Sequence, residues 1–494
     1  MIKSKKILLT LFFVALSVFV SCKNDSESSS SEKAENPAIK LDATTRADKG
    51  GSGVMLQGFT WSSPNKNGDW YATISKNADE IKDTFEYVWY PPASDCTDTT
   101  GNGYLPRRLN LLTQKESSKV PYYGSVEDLK KSIQDIKPAK AIEDVVINHR
   151  CGTEGWGDFT DPSWDKDFSA ICSDDEGFTN TSSNMFGARY KGAKDTGEGY
   201  AAGRDLDHTN INVQNGIITW MNSVLKDAGF VGWRYDYVKG YAGNFTGYYN
   251  TKTEPEFSVG EYWPTGSFNG NTPETWSNAI YKWVESTGQY TNDTSGRISR
   301  SFDFVLKGMF NEVFGCGNTN KSVENFPNKD YAKLANANNL YKRIPGYTVT
   351  FVDNHDTGST QKHWYLDPAD IASAYAFILT HPGYPSVAWY HYFSASDCPN
   401  DTASQYIGSE TVPGLSDVTY KTFIKTLIQK RKDFGITDMS EVKIINATAD
   451  NYTAEVIGEN GKILLSLGSE FDNISVGYSS IYEGTGFKIL SKLN

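Results

Sequence analysis

The chain has 494 residues and a formal net charge of −12 at pH 7. A chain of this length can hold about three average domains, although one barrel-type domain can reach about 250 residues by itself. Acidic and basic residues are interspersed without a clustered Lys/Arg face for phosphate binding, so we expect no nucleic-acid partner. Aromatic residues make up 13% of the chain. Tyr and Trp suit sugar rings but also fill ordinary cores, so composition does not separate these uses.

The N-terminus has the pattern of an export signal. Residues 1–21 comprise a basic stretch, an apolar run too short to cross a bilayer comfortably, and the small residue Ser21. Ser21-Cys22 resembles a bacterial lipobox, in which Cys22 would carry lipid and become the mature N-terminus; an ordinary cleaved signal peptide is the alternative. Residues 22–48 begin with a polar, Ser-rich and acidic run that we interpret as a disordered tether.

These features predict an exported outer-membrane lipoprotein that contacts the membrane only through the lipid on Cys22. Lys and acidic residues just after Cys22 resemble a surface-export signal, and secretion is the alternative. Five further cysteines have no metal-ligand spacing such as CxxC, and at least one must stay unpaired. Cys151 and Cys172 could form a disulfide, although unpaired buried thiols fit equally well. The five are Cys96, Cys151, Cys172, Cys316 and Cys398.

Short apolar or β-branched runs alternate with longer amphipathic stretches from about residue 52 to residue 395, which is the pattern of repeated βα units. Eight such runs predict a (β/α)₈ TIM barrel. Residues 126–136 and 216–228 are examples of the helical patterns between them. The predicted strands are Val54–Phe59, Tyr87–Tyr90, Ala141–Asn148, Gly232–Tyr235, Phe257–Val259, Ser301–Phe304, Thr348–Val352 and Ser386–Trp389.

Two stretches break this alternation. The Gly-, Asp- and Ser-rich stretch after Asn148 is too long for an ordinary connection and predicts a functional insertion. The tail alternates apolar and polar positions between turn signals, which predicts a small antiparallel β domain. The predicted domains are a signal peptide (1–21), a tether (22–48), the barrel (49–150 and 207–432), a loop domain inserted after strand 3 (151–206) and a C-terminal β-sheet domain (433–494).

Four predicted strands end in polar or charged residues. Catalytic groups of such barrels lie at strand ends, where a carboxylate that follows an apolar strand is costly unless it is used or paired. A lone aspartate of this kind is more often a structural salt bridge, but four such ends in one barrel favour a shared site. The four ends read DVVINH (144–149), GWRYDYVKGY (232–241), SVGEYW (258–263) and FVDNHDTGSTQ (351–361).

These segments resemble, in order and spacing, the four signature regions of the α-amylase family of glycoside hydrolases, especially its plant-type members. VMLQGFTW near the start, GYLP at 103–106 and KILLSLG in the tail also match, so the resemblance covers about residues 52–470. It implies a monomeric enzyme that hydrolyses α-1,4-glucosidic bonds within starch or related α-glucans with retention of configuration. Two alternatives stay open: an oligosaccharide-preferring hydrolase or transglycosylase with the same motifs, and a non-catalytic glucan-binding lipoprotein.

The resemblance implies three catalytic carboxylates. Asp236 matches the nucleophile, Glu261 the general acid/base and Asp356 the third acid, which stabilises the oxocarbenium-like transition state. The two carboxyls of a retaining enzyme lie about 5–5.5 Å apart. Glu261 must stay protonated near neutral pH, which predicts a pKa raised by burial and by the charge of Asp236. Arg234, on the same strand face, should keep the nucleophile ionised.

The resemblance also implies residues that bind the substrate. His149 and His355 match sugar-binding histidines, although a His beside an Asp is often a structural pair. Tyr104 matches an aromatic platform at the cleavage point. Lys239 matches a residue that reaches the leaving-group side.

A structural Ca²⁺ that ties the loop domain to the barrel is implied as well. Calcium needs several oxygen ligands, and here they would come from scattered segments. A solvated acidic loop is the competing interpretation, and Asp207 is the alternative to Asp205. The implied ligands are the Asn148 amide, the Asp195 and Asp205 carboxylates, and the backbone carbonyls of Glu198 and Gly240.

Overall fold

Eight parallel strands close into a barrel in the computed structural model of the chain. Each strand pairs with the strand that follows it in the barrel, and β8 pairs with β1 to complete the ring. The predicted barrel is confirmed. The strands are β1 (Met55–Gln57), β2 (Tyr87–Trp89), β3 (Lys140–Val145), β4 (Gly232–Tyr235), β5 (Phe257–Gly260), β6 (Arg300–Phe302), β7 (Thr348–Phe351) and β8 (Tyr384–Ala388).

The structure describes most of the chain from Leu41 to Asn494. The predicted signal peptide, most of the predicted tether, Cys22 and Cys316 lie outside the described residues. The described ranges are 41–47, 51–65, 67–97, 101–112, 122–153, 157–164, 169–179, 191–268, 272–289, 297–314, 329–401, 405–469 and 476–494.

Helices cover the outside of the barrel. Nearly every barrel-strand residue is therefore buried, which explains why the strands read as apolar runs without alternation. The helix that begins at Ile211 continues through a π turn, Met221–Leu225, and ends at Gly229, whose φ of +114° suits glycine. Among the described residues, no helix has the length and apolar character needed to span a bilayer. The main helices are Trp70–Lys76, Ala78–Thr84, Val126–Asp135, Ile211–Trp220, Gly243–Thr253, Pro273–Thr287, Phe304–Phe314, Ile371–Thr380 and Tyr420–Asp433.

Two short antiparallel ribbons project from the barrel. His149–Arg150 pairs with Arg204–Asp205, so the two ends of the inserted segment are joined to each other. Ser94–Cys96 pairs with Pro106–Leu112 after β2. The second ribbon was not predicted, because its irregular register leaves no clean alternation in the sequence. Within the described part of the chain, Cys172 and Cys398 are buried free thiols, so the possible disulfide between Cys151 and Cys172 is not formed.

The C-terminal residues form a separate five-stranded sheet, so the predicted antiparallel β domain is confirmed. The sheet packs on the barrel helices through aromatic contacts such as Phe423 with Phe487, whose ring centroids are 5.3 Å apart. Tyr452 Oη lies 2.9 Å from Nε2 of the buried His381. In the order β9-β10-β11-β13-β12, the strands are β9 (Glu441–Ala447), β10 (Asn451–Ile457), β11 (Gly461–Gly468), β12 (Ser479–Gly484) and β13 (Phe487–Leu493).

Residues Leu41–Ala47, which we assigned to the tether, pack against the barrel instead. Leu41 is buried, and its carbonyl accepts a hydrogen bond of 3.0 Å from Tyr281 Oη. Arg46 forms a parallel bridge with Gly346, which precedes β7, and the Ala47 amide donates to the Gly346 carbonyl. The predicted tether therefore extends too far, because the polar composition of this stretch hides one apolar anchor and a set of backbone hydrogen bonds. We call Leu41–Ala47 the N-terminal strap.

Gly346→Ala should loosen the N-terminal strap. A Cβ at this position would lie 2.5 Å from the Thr45 carbonyl oxygen and 2.7 Å from Arg46 Cα, both of which are backbone atoms. We expect a loss of about 1–3 kcal/mol in the free energy of unfolding, the usual cost of overpacking. Thermal unfolding checks this, with Gly51→Ala as the control, since a Cβ there meets only one atom, at 3.9 Å. Equal melting temperatures for the two variants would contradict the packing argument.

Candidate active site

A cleft of about 550 Å³ opens at the carboxyl ends of the barrel strands. Asp236 follows β4, Glu261 follows β5 and Asp356 follows β7, so barrel closure brings the three predicted acids to one cleft. Several aromatic residues that were not predicted complete its walls. The lining residues are Trp61, Tyr104, Tyr200, Asp236, Tyr237, Lys239, Glu261, Trp263, Pro264, Thr265, Gly266, Asp356 and Gln361.

Arg234 is a fully buried cation that contacts two of these acids. Its Nη1 lies 2.7 Å from Asp236 Oδ1, and its Nη2 lies 2.8 Å from Glu261 Oε1. The first contact is a hydrogen bond, whereas the second lacks hydrogen-bond geometry and is only an ion contact. Burial alone would lower the pKa of Arg234, but the surrounding carboxylates raise this pKa well above its usual value. Arg234 therefore stays charged beside the Asp236 carboxylate.

Asp144 is a fourth acid of the site, and we did not predict it. It lies beside Arg234 in the register between β3 and β4, and its Oδ1 is 2.6 Å from Arg234 Nη1. Its Oδ2 accepts hydrogen bonds from Tyr104 Oη (2.8 Å) and Trp89 Nε1 (3.0 Å). Asp144 is the first residue of the DVVINH segment, but it lies inside a strand and not after it. Its partners are distant in sequence, so only strand register reveals its role.

Glu261 has the environment of a general acid. Burial, chiefly, raises its pKa to about 8, and the negative charges of Asp236, Asp356 and Asp144 add to the rise against the opposing charge of Arg234. The Tyr237 amide donates a weak hydrogen bond of 3.4 Å to Glu261 Oε2. Tyr237 adopts a left-handed φ of +43°, which is uncommon outside glycine and turns the chain sharply after Asp236. The carboxyl of Glu261 is thus protonated at neutral pH.

Asp356 lies in the same electrostatic environment but on the opposite wall. Burial raises its pKa to about 7, with contributions from Asp236 and Asp144, while Arg234 opposes the rise. Its Oδ2 is 3.2 Å from His355 Nε2. The pKa of this carboxyl therefore lies above the usual range of an aspartate.

Tyr104 and Trp61 form an aromatic wall beside Asp356. Their rings are parallel within 6°, with centroids 5.8 Å apart. His355 stacks behind Tyr104 at 5.5 Å, and its Nε2 is 2.7 Å from Tyr104 Oη. Because its hydroxyl is held by Asp144 and His355, the Tyr104 ring has a fixed orientation and offers a flat face to a sugar.

The two predicted sugar-binding histidines are buried behind the cleft wall. Neither His149 nor His355 is among the residues that line the cleft. His149 Nε2 donates a 2.8 Å hydrogen bond to the Tyr104 carbonyl, and its ring stacks on Tyr200 at 4.0 Å. Burial lowers the pKa of both imidazoles, so both are neutral, and they contact Tyr104 and Tyr200, which line the cleft.

Lys239 lines the cleft together with Thr265, which follows Glu261 in the loop after β5. Its Nζ donates a 2.8 Å hydrogen bond to Thr265 Oγ1 and lies 3.3 Å from Glu198 Oε2. The Glu198 amide also donates to the Lys239 carbonyl. Glu198 therefore joins the loop domain to the cleft through its side chain, a contact that we did not predict.

Oxygen atoms of the predicted metal site converge between the loop domain and the barrel. Asp195 Oδ2 is buried without a hydrogen-bond partner. Burial raises the pKa of Asp205 to about 8, and Asn148 Nδ2 lies 3.5 Å from Asp205 Oδ1. A Cβ on Gly240 would overlap Asn148 Oδ1, so the amide oxygen lies against the Gly240 backbone. Among the described residues, a buried carboxylate oxygen without a hydrogen-bond partner and a carboxyl whose pKa is raised by burial fit a divalent ion with hard oxygen ligands.

The structure also separates Asp205 from its alternative, Asp207. Asp207 Oδ2 accepts a hydrogen bond from the Ala193 amide, and its Oδ1 accepts from the Thr209 amide and hydroxyl. Three separate protein donors thus occupy the two oxygens of Asp207, whereas the two oxygens of Asp205 share the single amide of Tyr200 and one long contact with Asn148 Nδ2. The geometry favours Asp205 as the ligand.

A second group of acids, Asp175, Glu176 and Asp205, has carboxylate oxygens within 4.8 Å of one another. Arg204 neutralises two of them, because its Nη1 is 2.6 Å from Asp175 Oδ1 and its Nη2 is 2.5 Å from Glu176 Oε1. Asp175 also accepts from the Asp205 amide. We interpret Asp175 and Glu176 as a clamp on the ribbon that carries Asp205, since a guanidinium already provides their positive charge.

No family model matches the chain. The chain is similar to probable alpha-amylase 2 of Arabidopsis thaliana, with 30% identity over 435 residues that cover 86% of this chain and 90% of the relative. It is 29% identical to the chloroplastic alpha-amylase 3 of the same plant over 92% of this chain, but it spans only 46% of that longer protein. The chain belongs to the α-amylase family.

Membership of the α-amylase family makes the chain an enzyme of the glycoside hydrolase type and confirms the resemblance inferred from its motifs. A solved cyclomaltodextrin glucanotransferase with three domains matches 90% of this chain and 100% of its own, with a TM-score of 0.57. The two sequences are 15% identical, so this likeness shows the fold alone.

The pKa of Glu261 sets the expected alkaline limit of activity. The proton transfer to the leaving group needs Glu261 protonated, so kcat/KM on maltooligosaccharides should fall about tenfold per pH unit above its pKa of about 8. In Glu261→Gln this limb should be absent for α-maltosyl fluoride, whose leaving group needs no proton. A pH–rate profile for each substrate checks this. An alkaline limb that persists in Glu261→Gln would assign the titration to another group.

Proposed function

We propose that the chain hydrolyses α-1,4-glucosidic bonds within starch and related α-glucans, with retention of the anomeric configuration. The observation that carries the proposal is the contrast between two carboxyls on one guanidinium. Asp236 is hydrogen-bonded to the permanently charged Arg234, whereas Glu261 has a pKa raised to about 8, chiefly by burial. Retaining cleavage needs this combination of an ionised nucleophile and a protonated acid.

The reaction then follows in two steps. Asp236 attacks the anomeric carbon while Glu261 gives its proton to the departing oxygen, which leaves a glycosyl ester on Asp236 and an ionised Glu261. Water enters on the side from which the glucan left, Glu261 takes a proton from it, and the ester is cleaved. Asp356, beside the anomeric centre, holds sugar hydroxyls as positive charge develops on the ring.

The cleft supports an α-glucan as the substrate. Trp61 and Tyr104 on one wall and Trp263 on the other are flat aromatic surfaces with carboxylates between them. Trp263 is supported by stacking on Phe304 at 4.9 Å. The two plant relatives are named as α-amylases, and the cleft is open, which favours cleavage within a chain over removal of a terminal unit.

We also propose that a structural Ca²⁺ binds between the loop domain and the barrel. Asn148, Asp195 and Asp205 would supply side-chain oxygens, and Glu198 and Gly240 would supply backbone carbonyls. The unpaired buried oxygen of Asp195 and the raised pKa of Asp205 support this assignment. The ion would act as a cross-link between β3, the loop domain and the residues after β4, and no chemical step depends on it.

The N-terminal sequence supports export. We propose that Cys22 carries a lipid and that residues 23–40 connect it to the enzyme, so that contact with the membrane is made only through the lipid. Palmitate labelling of cells that express the full chain, with Cys22→Ser as the comparison, tests the proposal.

Asp236→Asn tests the catalytic assignment. It keeps the shape of the nucleophile but removes its charge, so turnover of amylose should fall by roughly 10⁴-fold or more, as for loss of one member of a catalytic unit. The Kd for maltoheptaose should change little. Reducing-sugar release and calorimetry measure the two quantities, and Asp227→Asn, on the exposed surface of a helix, is the matched control.

Chromatography of the products separates the alternatives. Short maltooligosaccharides from amylose support internal hydrolysis, whereas products longer than the starting oligosaccharide would indicate transglycosylation. Wild-type protein that binds amylose without releasing reducing sugar would overturn the enzymatic proposal.

Calcium removal should lower thermal stability. A ligand that binds only the folded state stabilises it by about 2.7 kcal/mol at 100 times its Kd, so a chelator should reduce the melting temperature and added Ca²⁺ should restore it. Asp195→Asn should abolish this response. Glu176→Gln should retain it, since Glu176 pairs with Arg204. A melting temperature that is insensitive to chelator in the wild type would rule out the metal site.

A further inference from the structure

Glu198, Lys239 and Thr265 form a small hydrogen-bonded ring at one end of the cleft. Lys239 Nζ donates to Thr265 Oγ1 (2.8 Å), the Thr265 hydroxyl donates to Glu198 Oε2 (2.7 Å), and Glu198 Oε2 is 3.3 Å from Lys239 Nζ. The three residues belong to the loop domain, to the turn after β4 and to the loop after β5. We call this ring the rim bridge, since it joins three separate segments.

The rim bridge lies on the leaving-group side of the cleft. Lys239 Nζ lies 5.2 Å from the centre of the Tyr237 ring, and the Tyr237 amide contacts Glu261. Thr265 follows Glu261 on the same loop, whereas Trp61 and Tyr104 form the opposite wall beside His355. Because Glu261 delivers its proton to the departing oxygen, the glucan that leaves must occupy the Glu261 end.

A lysine side chain that is not held by neighbours binds with little precision, because it is long, has several rotamers and loses conformational entropy when it is fixed. The rim bridge fixes the ammonium before substrate arrives. An ammonium has three donors, of which one is given to Thr265 and one faces Glu198. The third donor can reach a sugar hydroxyl without a further loss of side-chain conformational entropy.

We propose that Glu198 and Thr265 are positioning residues that hold Lys239 for recognition of the leaving glucan, and so determine how many glucose units occupy that side. This inference rests on the proposed hydrolysis of α-glucans. It concerns two residues outside the chemistry itself. Their side chains are exposed at the mouth of the cleft, so they can be changed without altering the core.

The test compares two substrates that differ only on the leaving-group side. Maltoheptaose extends past the rim bridge, whereas α-maltosyl fluoride has a leaving group of one atom. Thr265→Val removes the hydroxyl, and Glu198→Gln removes the charge but keeps an acceptor and the backbone carbonyl. Each should lower kcat/KM for maltoheptaose on the order of tenfold, the effect of one charge-assisted hydrogen bond, and leave kcat/KM for the fluoride within about twofold.

Product analysis and a double variant give independent readouts. Maltoheptaose labelled at its reducing end should be cut closer to that end in both variants, since fewer units are held beyond Glu261. Lys239→Met combined with Thr265→Val should behave as Lys239→Met alone. Glu256→Gln is the matched control. Glu256 directly precedes β5, at the end of the barrel opposite the cleft, and forms an exposed ion pair with Lys140.

Equal losses on both substrates, or no loss on either, would overturn the positioning role. Failure of the proposed hydrolysis looks different, since the wild type would then cleave neither substrate. Binding provides a check that does not need turnover: in the Asp236→Asn background, Thr265→Val should weaken maltoheptaose binding on the order of tenfold. Unchanged melting temperatures in Ca²⁺ would show that the metal site is intact.

Discussion

The active site depends on the burial of one guanidinium among more acids than it can neutralise. Arg234 is fully buried and contacts Asp144, Asp236 and Glu261, and the charge of Asp356 adds to theirs. Four ionised carboxyls beside one cation would leave three uncompensated charges in a region of low dielectric, which is prohibitive. Protons must therefore be retained. Burial raises the pKa of Glu261 to about 8, and those of Asp144 and Asp356 to about 7.

The division of labour between the acids follows from their contacts with Arg234. Asp236 accepts a hydrogen bond from the guanidinium of Arg234, whereas Glu261 lies close to the same guanidinium without a hydrogen bond. The same guanidinium thus orients the carboxylate of Asp236 and leaves that of Glu261 without a directed bond. Removal of Arg234 would disturb every acid at once, so the family chemistry rests on a residue that does not itself react with the sugar.

Much of the active site could be predicted from the sequence, because the ends of the barrel strands can be recognised from it. Asp236, Glu261 and Asp356 each follow an apolar run, and parallel strands of a barrel present such residues at one face. Asp144 was missed because it lies within a strand, where only register shows its neighbour. The sequence also could not show that His149 and His355 are buried behind the residues that line the cleft. A motif gives the position of a residue along the chain but not the direction of its side chain.

Side chains on loops were the hardest to predict. Glu198 was predicted to bind Ca²⁺ through its backbone carbonyl. Its side-chain carboxylate, which we did not predict to have a role, contacts Lys239 and Thr265. That contact depends on where the loop domain rests on the barrel. No periodic pattern encodes it, because the interacting residues come from three segments without regular structure.

The N-terminal strap fixes the place where the chain enters the enzyme. Leu41–Ala47 lies beside Gly346, at the amino end of β7, whereas the cleft opens at the carboxyl ends of the strands. The chain that precedes Leu41 therefore joins the enzyme at the end of the barrel remote from the cleft, and the strap itself contributes no residue to the walls of the cleft.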